Sequence, residues 1–175
     1  MARSPLAGPD HSQERHVMKL YLVEIGGMRD GALFETHEVH ALVASNEEQL
    51  LLECQARFAG AMRASHLDGW IELELESAPE EALRDGPFFF VAELGRNSAR
   101  AIREEHVYRF LSAGSLKEAV QLVRQDAPGW HIDACVNLDE IAWKAGYRLR
   151  RDLFGAVPEP RSEARYIRFK EPRAE

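Results

Sequence analysis

Two short patterns of acidic and imidazole side chains each occur twice in the chain. The pairs are Glu35-x-His37, Glu104-x-His106, His66-x-Asp68 and His131-x-Asp133. In an extended strand, residues two apart point to the same face, so each pair can present both side chains together. Imidazole nitrogens and carboxylate oxygens are ligands of transition metals, and they are also the groups that perform general acid–base catalysis.

These pairs allow an architectural interpretation and a metal-binding one. In the first, Glu, His and Asp form a hydrogen-bond network that fixes the register of three strands, because an unpartnered buried polar group costs about 1–3 kcal/mol. In the second, His37, His66 and a carboxylate of Glu35 or Asp68 bind a divalent ion, for which Zn, Fe and Mn are the candidates.

An acid–base enzyme is a third interpretation. His37 or His106 would be the base, and Glu24 or Glu35 would tune it, since the pKa of histidine lies near neutrality. The sequence contains no nucleophile elbow, P-loop, dinucleotide fingerprint or His-Glu-x-x-His motif. The residues therefore assign no catalytic role and no organic cofactor site, and they leave open whether the chain is an enzyme.

The pairs belong to a longer internal repeat. In both copies a Glu-x-Gly element, Glu24-x-Gly26 or Glu93-x-Gly95, precedes the Glu-x-His pair with eight residues between them. Equal intervals predict equal placement in two structural units. The candidate polar-cluster or metal residues are Glu24, Glu35, His37, His66, Asp68, Glu93, Glu104, His106, His131 and Asp133.

Hydrophobic patterning predicts the same elements in each copy. Residues 18–25 and 88–94 are apolar and aromatic runs that end at glycine, which is typical of buried strands. Ser45 and Ser115, each with Glu three positions later, predict helix starts by the capping-box pattern. Further strands are predicted over 33–44 and its counterpart 104–110, over 71–75, 135–141 and 146–149, and as an edge strand over 166–169.

These elements predict an α+β protein made of two tandem ββαβ-like repeats. Since each repeat is near the lower size limit for independent stability, we expect them to pack with pseudo-twofold symmetry, with helices on one side of antiparallel or mixed sheet. The predicted division is a flexible leader 1–17, first repeat 18–76, linker 77–87, second repeat 88–153 and basic tail 154–175.

Composition narrows the classes of partner. The formal net charge of −7 argues against nucleic acid, and no apolar run is long enough to cross a membrane. Two cysteines without Cys-x-x-Cys spacing indicate no disulfide scaffold, so a reduced cytoplasmic setting is the default expectation. The remaining partners are an unidentified small molecule or protein, and the oligomeric state is open.

The chain resembles a bacterial family catalogued as domain-of-unknown-function family 1543. The first copy carries Met18–Val23 followed by Gly26-Gly27, the Glu35-x-His37-x-Val39 element and His66-Leu67-Asp68-Gly69-Trp70. The second copy carries the matching His131-Ile132-Asp133 and a closing Gly146-Tyr147, with Cys135 in place of the tryptophan. The resemblance implies a tandem domain and supplies no activity.

The sequence therefore favours a non-catalytic binding or structural module with recurring Glu/His/Asp clusters. The alternative is a metal-dependent enzyme, of hydrolase type, that uses the same histidines and carboxylates as ligands. Convergence of His37, His66 and Asp68 in a three-dimensional structure is the observation that decides whether a cluster exists at all.

Overall fold

A computed structural model describes residues 17–77 and 87–170. Most of the predicted leader and linker, and the last residues of the predicted tail, lie outside these ranges. The elements are β1 (Lys19–Met28), β2 (Thr36–Ala44), α1 (Glu47–Phe58), β3 (Arg63–Ser77), β4 (Phe88–Arg96), β5 (Glu105–Ala113), α2 (Leu116–Asp126), β6 (His131–Asn137), α3 (Leu138–Lys144), β7 (Tyr147–Leu149) and β8 (Arg161–Arg168). The predicted α+β class is confirmed.

The strands form two antiparallel sheets. The first has the order β2-β1-β3-β7, and β8 also pairs with β3. The second has the order β5-β4-β6. In both sheets the first strand of the predicted repeat is central, flanked by the second and third strands in antiparallel register. The pseudo-twofold relation between the repeats stays a prediction.

The central strands are buried on both faces. On one face of β1, Tyr21 and Val23 pack with Leu50 and Cys54 of α1. On the other face, Leu20 and Leu22 share a core cluster with Phe89 and Val91 of β4. Burying each such side chain contributes about 1.5–3 kcal/mol. The two sheets therefore face each other, with α1 on the outer side of the first.

The helices begin at capping residues. Ser115 Oγ accepts a hydrogen bond from Glu118 N at 3.2 Å, as its spacing predicts. For α1 the predicted cap Ser45 is wrong by one position, because Asn46 Oδ1 accepts from Gln49 N at 2.9 Å. Asparagine and serine cap equally well, so the backbone entering the helix decides between neighbours.

The strand predicted over 135–141 is wrong in its second half. Strand β6 ends at Asn137, whose side chain accepts from Glu140 N at 3.2 Å and so starts α3. Leu138 and Ala142, one helical turn apart, are fully buried between the sheets. The predicted strand 146–149 is present as β7, but it pairs with β3 of the first sheet.

The predicted basic tail contains a strand. Strand β8 pairs with β3 from His66 to Glu72, and Phe169 beyond it is buried. Its arginines meet acidic groups of the first sheet and its helix: Arg161 lies 3.4 Å from Glu72, and Arg165 pairs with Glu47. Arginines of β8 thus pair with acidic residues of the first sheet and of α1. No helix within the described ranges is long and apolar enough to span a membrane.

Candidate metal centres

The register of each sheet places two histidines beside one glycine. Gly26 on β1 pairs with His37 on β2 and with His66 on β3. Directly opposed residues in antiparallel strands have side chains on the same face, so both imidazoles flank Gly26. In the second sheet Gly95 pairs in the same way with His106 and His131.

A β-bulge brings an aspartate to each pair of histidines. The pairing of β3 with β1 shifts register at Asp68, which has no partner on β1. The pairing of β6 with β4 shifts at Asp133 in the same manner. A bulge inserts one residue and re-aims side chains, so both aspartates turn towards the imidazoles.

The two glycines are required by this arrangement. A Cβ atom at Gly26 would lie less than 3.0 Å from His66 Nε2 and from Asp68 Oδ2. A Cβ atom at Gly95 would overlap His131 Nε2 and Asp133 Oδ2 in the same way. The glycine after each Glu-x therefore makes room for the polar groups of the neighbouring strand, and its neighbour Gly27 is likewise confined by Met62.

Site 1 comprises Glu35, His37, His66 and Asp68. Asp68 Oδ2 lies 3.2 Å from His37 Nε2 and 3.4 Å from His66 Nε2. Glu35 Oε1 lies 3.3 Å from His66 Nε2, and its Oε2 lies 3.9 Å from His37 Nε2. Two imidazoles and two carboxylates thus converge from β2, from Glu35 directly before it, and from β3, as the sequence predicts.

Site 2 comprises Glu104, His106, His131 and Asp133. His131 Nε2 lies 3.3 Å from Glu104 Oε2 and 3.2 Å from Asp133 Oδ1. His106 Nε2 lies 3.7 Å from Glu104 Oε2 and 3.4 Å from Asp133 Oδ2. Arg103, next to this site, donates a hydrogen bond to the carbonyl of Glu35 in site 1, so the two sites occupy the same end of the molecule.

The contact of its other ring nitrogen decides which tautomer a neutral His66 ring adopts. His66 Nδ1 lies 3.0 Å from the carbonyl oxygen of Ala64. A carbonyl oxygen only accepts, so Nδ1 carries the proton, and Nε2 of the neutral ring presents a lone pair. A histidine that binds metal through Nε2 commonly donates its Nδ1–H to a backbone carbonyl in this way.

Asp68 Oδ2 is buried and has no hydrogen-bond partner among the described residues. Its contacts with the two Nε2 atoms are short, but they lack hydrogen-bond alignment. A buried carboxylate oxygen without a donor costs about 1–3 kcal/mol or more. The geometry of site 1 therefore falls short of the hydrogen-bond network that an architectural role requires.

The nitrogen–oxygen distances in site 1 are close to those between neighbouring ligands of one metal ion. Metal–ligand bonds of about 2.0–2.2 Å in a tetrahedral site put neighbouring ligand atoms about 3.3–3.6 Å apart. In site 1 three of the four nitrogen–oxygen distances are 3.2–3.4 Å and the fourth is 3.9 Å. Three residues of each site offer atoms that all lie within 4.8 Å of one another: Glu35, His37 and His66, and Glu104, His131 and Asp133.

The two sites differ in their surroundings. The His66 side chain is 3% exposed, whereas the His131 side chain is 48% exposed. The ring of Tyr166 on β8 covers His66 at a centroid distance of 4.6 Å. Sequence reasoning missed Tyr166 because it lies in the predicted tail, where no pattern ties it to a distant histidine.

A residue two positions before each β3 or β6 histidine adopts a left-handed backbone. Ala64 has φ 55° and Gly129 has φ 89°. This conformation turns the Ala64 carbonyl towards His66, and in an alanine it costs about 1–2 kcal/mol. Gly129 offered a signal in the sequence, since glycine favours such a conformation, whereas Ala64 offered none.

Glu24 and Glu93, also predicted as site residues, do not join either site. They lie on the inward faces of β1 and β4 and line a cavity of 490 Å³ between the sheets. Asp68 of site 1 lines the same cavity. Burial, and then the charges of Glu93 and Glu24, raise the pKa of the neighbouring Tyr108 to about 12.

The architecture is similar to the crystal structure of a protein Il1583 from Idiomarina loihiensis. The two chains superpose with a TM-score of 0.53 and are 20% identical, over 89% of this chain and 99% of that chain. This likeness establishes the fold. No protein-family model matches the sequence, and no curated protein matches it. The resemblance to family 1543 stays a prediction.

Proposed function

We propose that the chain is a non-catalytic module that binds divalent transition-metal ions at site 1 and site 2. The observation that carries the proposal is the burial of Asp68 Oδ2. This oxygen accepts no hydrogen bond from any described residue, although two imidazole nitrogens lie 3.2 and 3.4 Å away. A cation between these atoms would attract the carboxylates and accept the lone pairs of both rings.

The donor set favours Zn, Fe or Mn. Two imidazoles with two carboxylates suit these ions, whereas Ca and Mg prefer oxygen ligands alone. In site 1 His66 is held by the Ala64 carbonyl and by Tyr166, so one ligand is already oriented. Orientation by such neighbours raises metal affinity. We therefore expect site 1 to bind more tightly than site 2.

The architectural alternative makes a different demand on the histidines. It needs imidazolium rings that donate to the carboxylates through Nε2. That state satisfies the groups only if the N–H bonds point at the oxygens, and the contacts of site 1 lack this alignment. The metal proposal explains the same distances without requiring an N–H bond at Nε2.

Metal titration of the EDTA-treated protein, purified without a histidine tag, tests the proposal. We expect two bound equivalents of Zn by elemental analysis and calorimetry. The double variants His37→Ala/His66→Ala and His106→Ala/His131→Ala should each bind one equivalent. Co²⁺ absorption in the visible range reports the coordination number at each remaining site.

His40→Ala is the matched control, because His40 lies on β2 outside both sites and contacts Glu38 at 3.3 Å. It should keep both equivalents. If the parent protein binds no Zn, Fe or Mn, or if His40→Ala loses as much metal as the site variants, metal binding at these clusters is wrong. Lower stability of the site variants without metal binding by the parent would support the architectural alternative.

A metal-dependent hydrolase is the second candidate, and one observation favours it. Asp68 belongs to site 1 and also lines the cavity between the sheets, so a molecule in the cavity would lie beside a bound ion. A metal-bound water is a nucleophile at neutral pH. Turnover of chromogenic esters or phosphoesters that depends on added metal, and is lost in His66→Ala but kept in Phe154→Ala, an exposed position outside the cavity, would establish this candidate.

A further inference from the structure

The cavity between the sheets is built by both halves of the molecule. Its lining includes residues of β1, β2, β3 and β8 from the first sheet, and of β4, β5, β6 and α3 around the second. Its volume of 490 Å³ falls in the range of about 300–1,000 Å³ in which proteins hold small organic ligands.

The walls of the cavity are mainly apolar. Leu22 and Val39 line the cavity on the side of the first sheet, and Val91 and Val136 line it on the side of the second. One aromatic side chain, that of Tyr108, also faces the cavity, whereas Trp70 packs in the core under α1. The electron-rich face of an aromatic ring attracts an organic cation, and apolar walls favour a ligand with a hydrocarbon body.

The charges that face the cavity are acidic. Three acidic residues on this side line it, Glu24, Asp68 and Glu93, and no lysine or arginine of the described ranges does. Glu24 and Glu93 occupy equivalent positions in the two repeats, two residues before Gly26 and Gly95. Neither forms an ion pair or a side-chain hydrogen bond with another described residue.

The remaining titratable groups of the lining add no positive charge near neutral pH. Burial lowers the pKa of His40, which keeps its imidazole neutral. The phenol of Tyr108 carries no positive charge in either protonation state. The field inside the cavity is therefore negative, which favours a cation and opposes an anion.

We propose that this cavity binds an organic ammonium ion with an apolar body, whose charged head lies between Glu24 and Glu93. The ammonium group supplies the donors that both carboxylates lack, and the body displaces water from the apolar walls. A bare metal ion has no apolar surface to bury against those walls. A neutral ligand would supply no positive charge to balance the two carboxylates. The inference does not rest on metal binding at site 1 or site 2.

Three probes with one tail test the charge of the ligand. Octylammonium, 1-octanol and octanoate are titrated by calorimetry into the EDTA-treated protein at pH 7, below their aggregation concentrations. A hydrogen bond to a charged group contributes enough to change affinity about tenfold or more. We expect octylammonium to bind at least about tenfold more tightly than octanol, and octanoate to give no binding.

Variants locate the site. Glu24→Gln/Glu93→Gln keeps the shapes of both side chains and removes their charges, so octylammonium affinity should fall to that of octanol. Glu48→Gln/Glu159→Gln removes the same charge from exposed positions outside the cavity and should leave the affinity unchanged. Melting temperatures of both double variants should match the parent, because none of the four side chains is buried.

Equal binding of octylammonium and octanol by the parent, or no binding of either, would overturn the inference. So would a preference for octylammonium that survives in Glu24→Gln/Glu93→Gln, or one that the exposed control removes equally. The same titrations repeated with Zn-loaded protein separate this result from the metal proposal, since either one can fail while the other holds.

Discussion

Sites 1 and 2 have the same four residue types in the same register, but their surroundings differ. In site 1, β8 runs along the outer edge of β3, and Tyr166 covers His66. Within residues 87–170, no strand pairs with the outer edge of β6, and His131 stays half exposed. The ββαβ pattern thus sets the geometry of the candidate ligands. Strand β8, which lies outside the predicted repeat, sets how much of site 1 is shielded from water.

The difference has an energetic consequence. Charges interact more strongly where water is excluded, and an oriented ligand loses less freedom on binding. Site 1 should therefore be the tighter and more rigid site, and site 2 the more accessible one. Four pairs of substitutions test this difference between site 1 and site 2. They follow in order of decreasing expected effect.

The largest difference in stability is expected between substitutions of His66 on β3 and His131 on β6. His66→Ala opens a cavity in a buried site beside Asp68, so the free energy of unfolding should fall by about 2–3 kcal/mol. His131→Ala changes a half-exposed side chain and should cost less than about 1 kcal/mol. Urea unfolding in EDTA measures both. Equal losses would mean that the two sites do not differ in burial.

The next effect concerns the two glycines. The methyl group of Gly26→Ala overlaps His66, which is fixed by Ala64 and Tyr166, and zinc affinity at site 1 should fall about 10–100-fold. In Gly95→Ala the exposed ring of His131 can move aside, so the loss should be smaller. Calorimetric titration of zinc measures both sites. A larger loss from Gly95→Ala would reverse the proposed order of rigidity.

The third pair of substitutions tests the contact between Tyr166 and His66. Tyr166→Ala takes away the ring that lies against His66 and should lower zinc affinity at site 1 by about tenfold, with no change at site 2. Phe154→Ala is the control, because this aromatic side chain is exposed and lies in no described core cluster. Competition titration against a chelator reports each site separately. An effect of Tyr166→Ala on both sites would contradict a local role for β8.

The smallest effect concerns the residue two positions before each histidine. Ala64→Gly relieves a left-handed alanine at the cost of a more flexible unfolded chain, so stability should rise by about 0.5–1 kcal/mol. Gly129→Ala should lower stability by about 1 kcal/mol for the opposite reason. Denaturant midpoints measure both. Loss of zinc at site 1 in Ala64→Gly would show that the alanine itself, beyond its carbonyl, orients His66.

The residues of sites 1 and 2 follow a periodic pattern in the sequence. Alternation places Glu35 with His37 and His66 with Asp68 on shared faces, and the equal intervals of the two copies indicate equal placement. The side chains do converge, as the distances around Asp68 and His131 show. The bulge at Asp68 was not predicted, because a register shift depends on the partner strand and leaves no local pattern.

The parts that sequence reasoning missed depend on contacts between distant segments. Helix α3 is short, and the apolar residues before and within it fit a strand as readily as a helix until the cap at Asn137 is known. Strand β8 is polar and mostly exposed, so the sequence predicts only its last part, as the edge strand over 166–169, and its pairing with β3 identifies the rest. Glu24 and Glu93 were assigned to the clusters because alternation cannot tell one end of a shared face from the other.

The short strand β7 ties the halves of the chain together. It follows α3 in the second half, yet it pairs with residues 75–77 of β3, and Arg148 lies 2.7 Å from Glu76. A chain cut between residues 77 and 87 would leave an uncovered strand edge on one fragment and an orphaned strand on the other. We therefore expect the molecule to unfold in one cooperative transition, because neither half of the chain completes its strand pairing without the other.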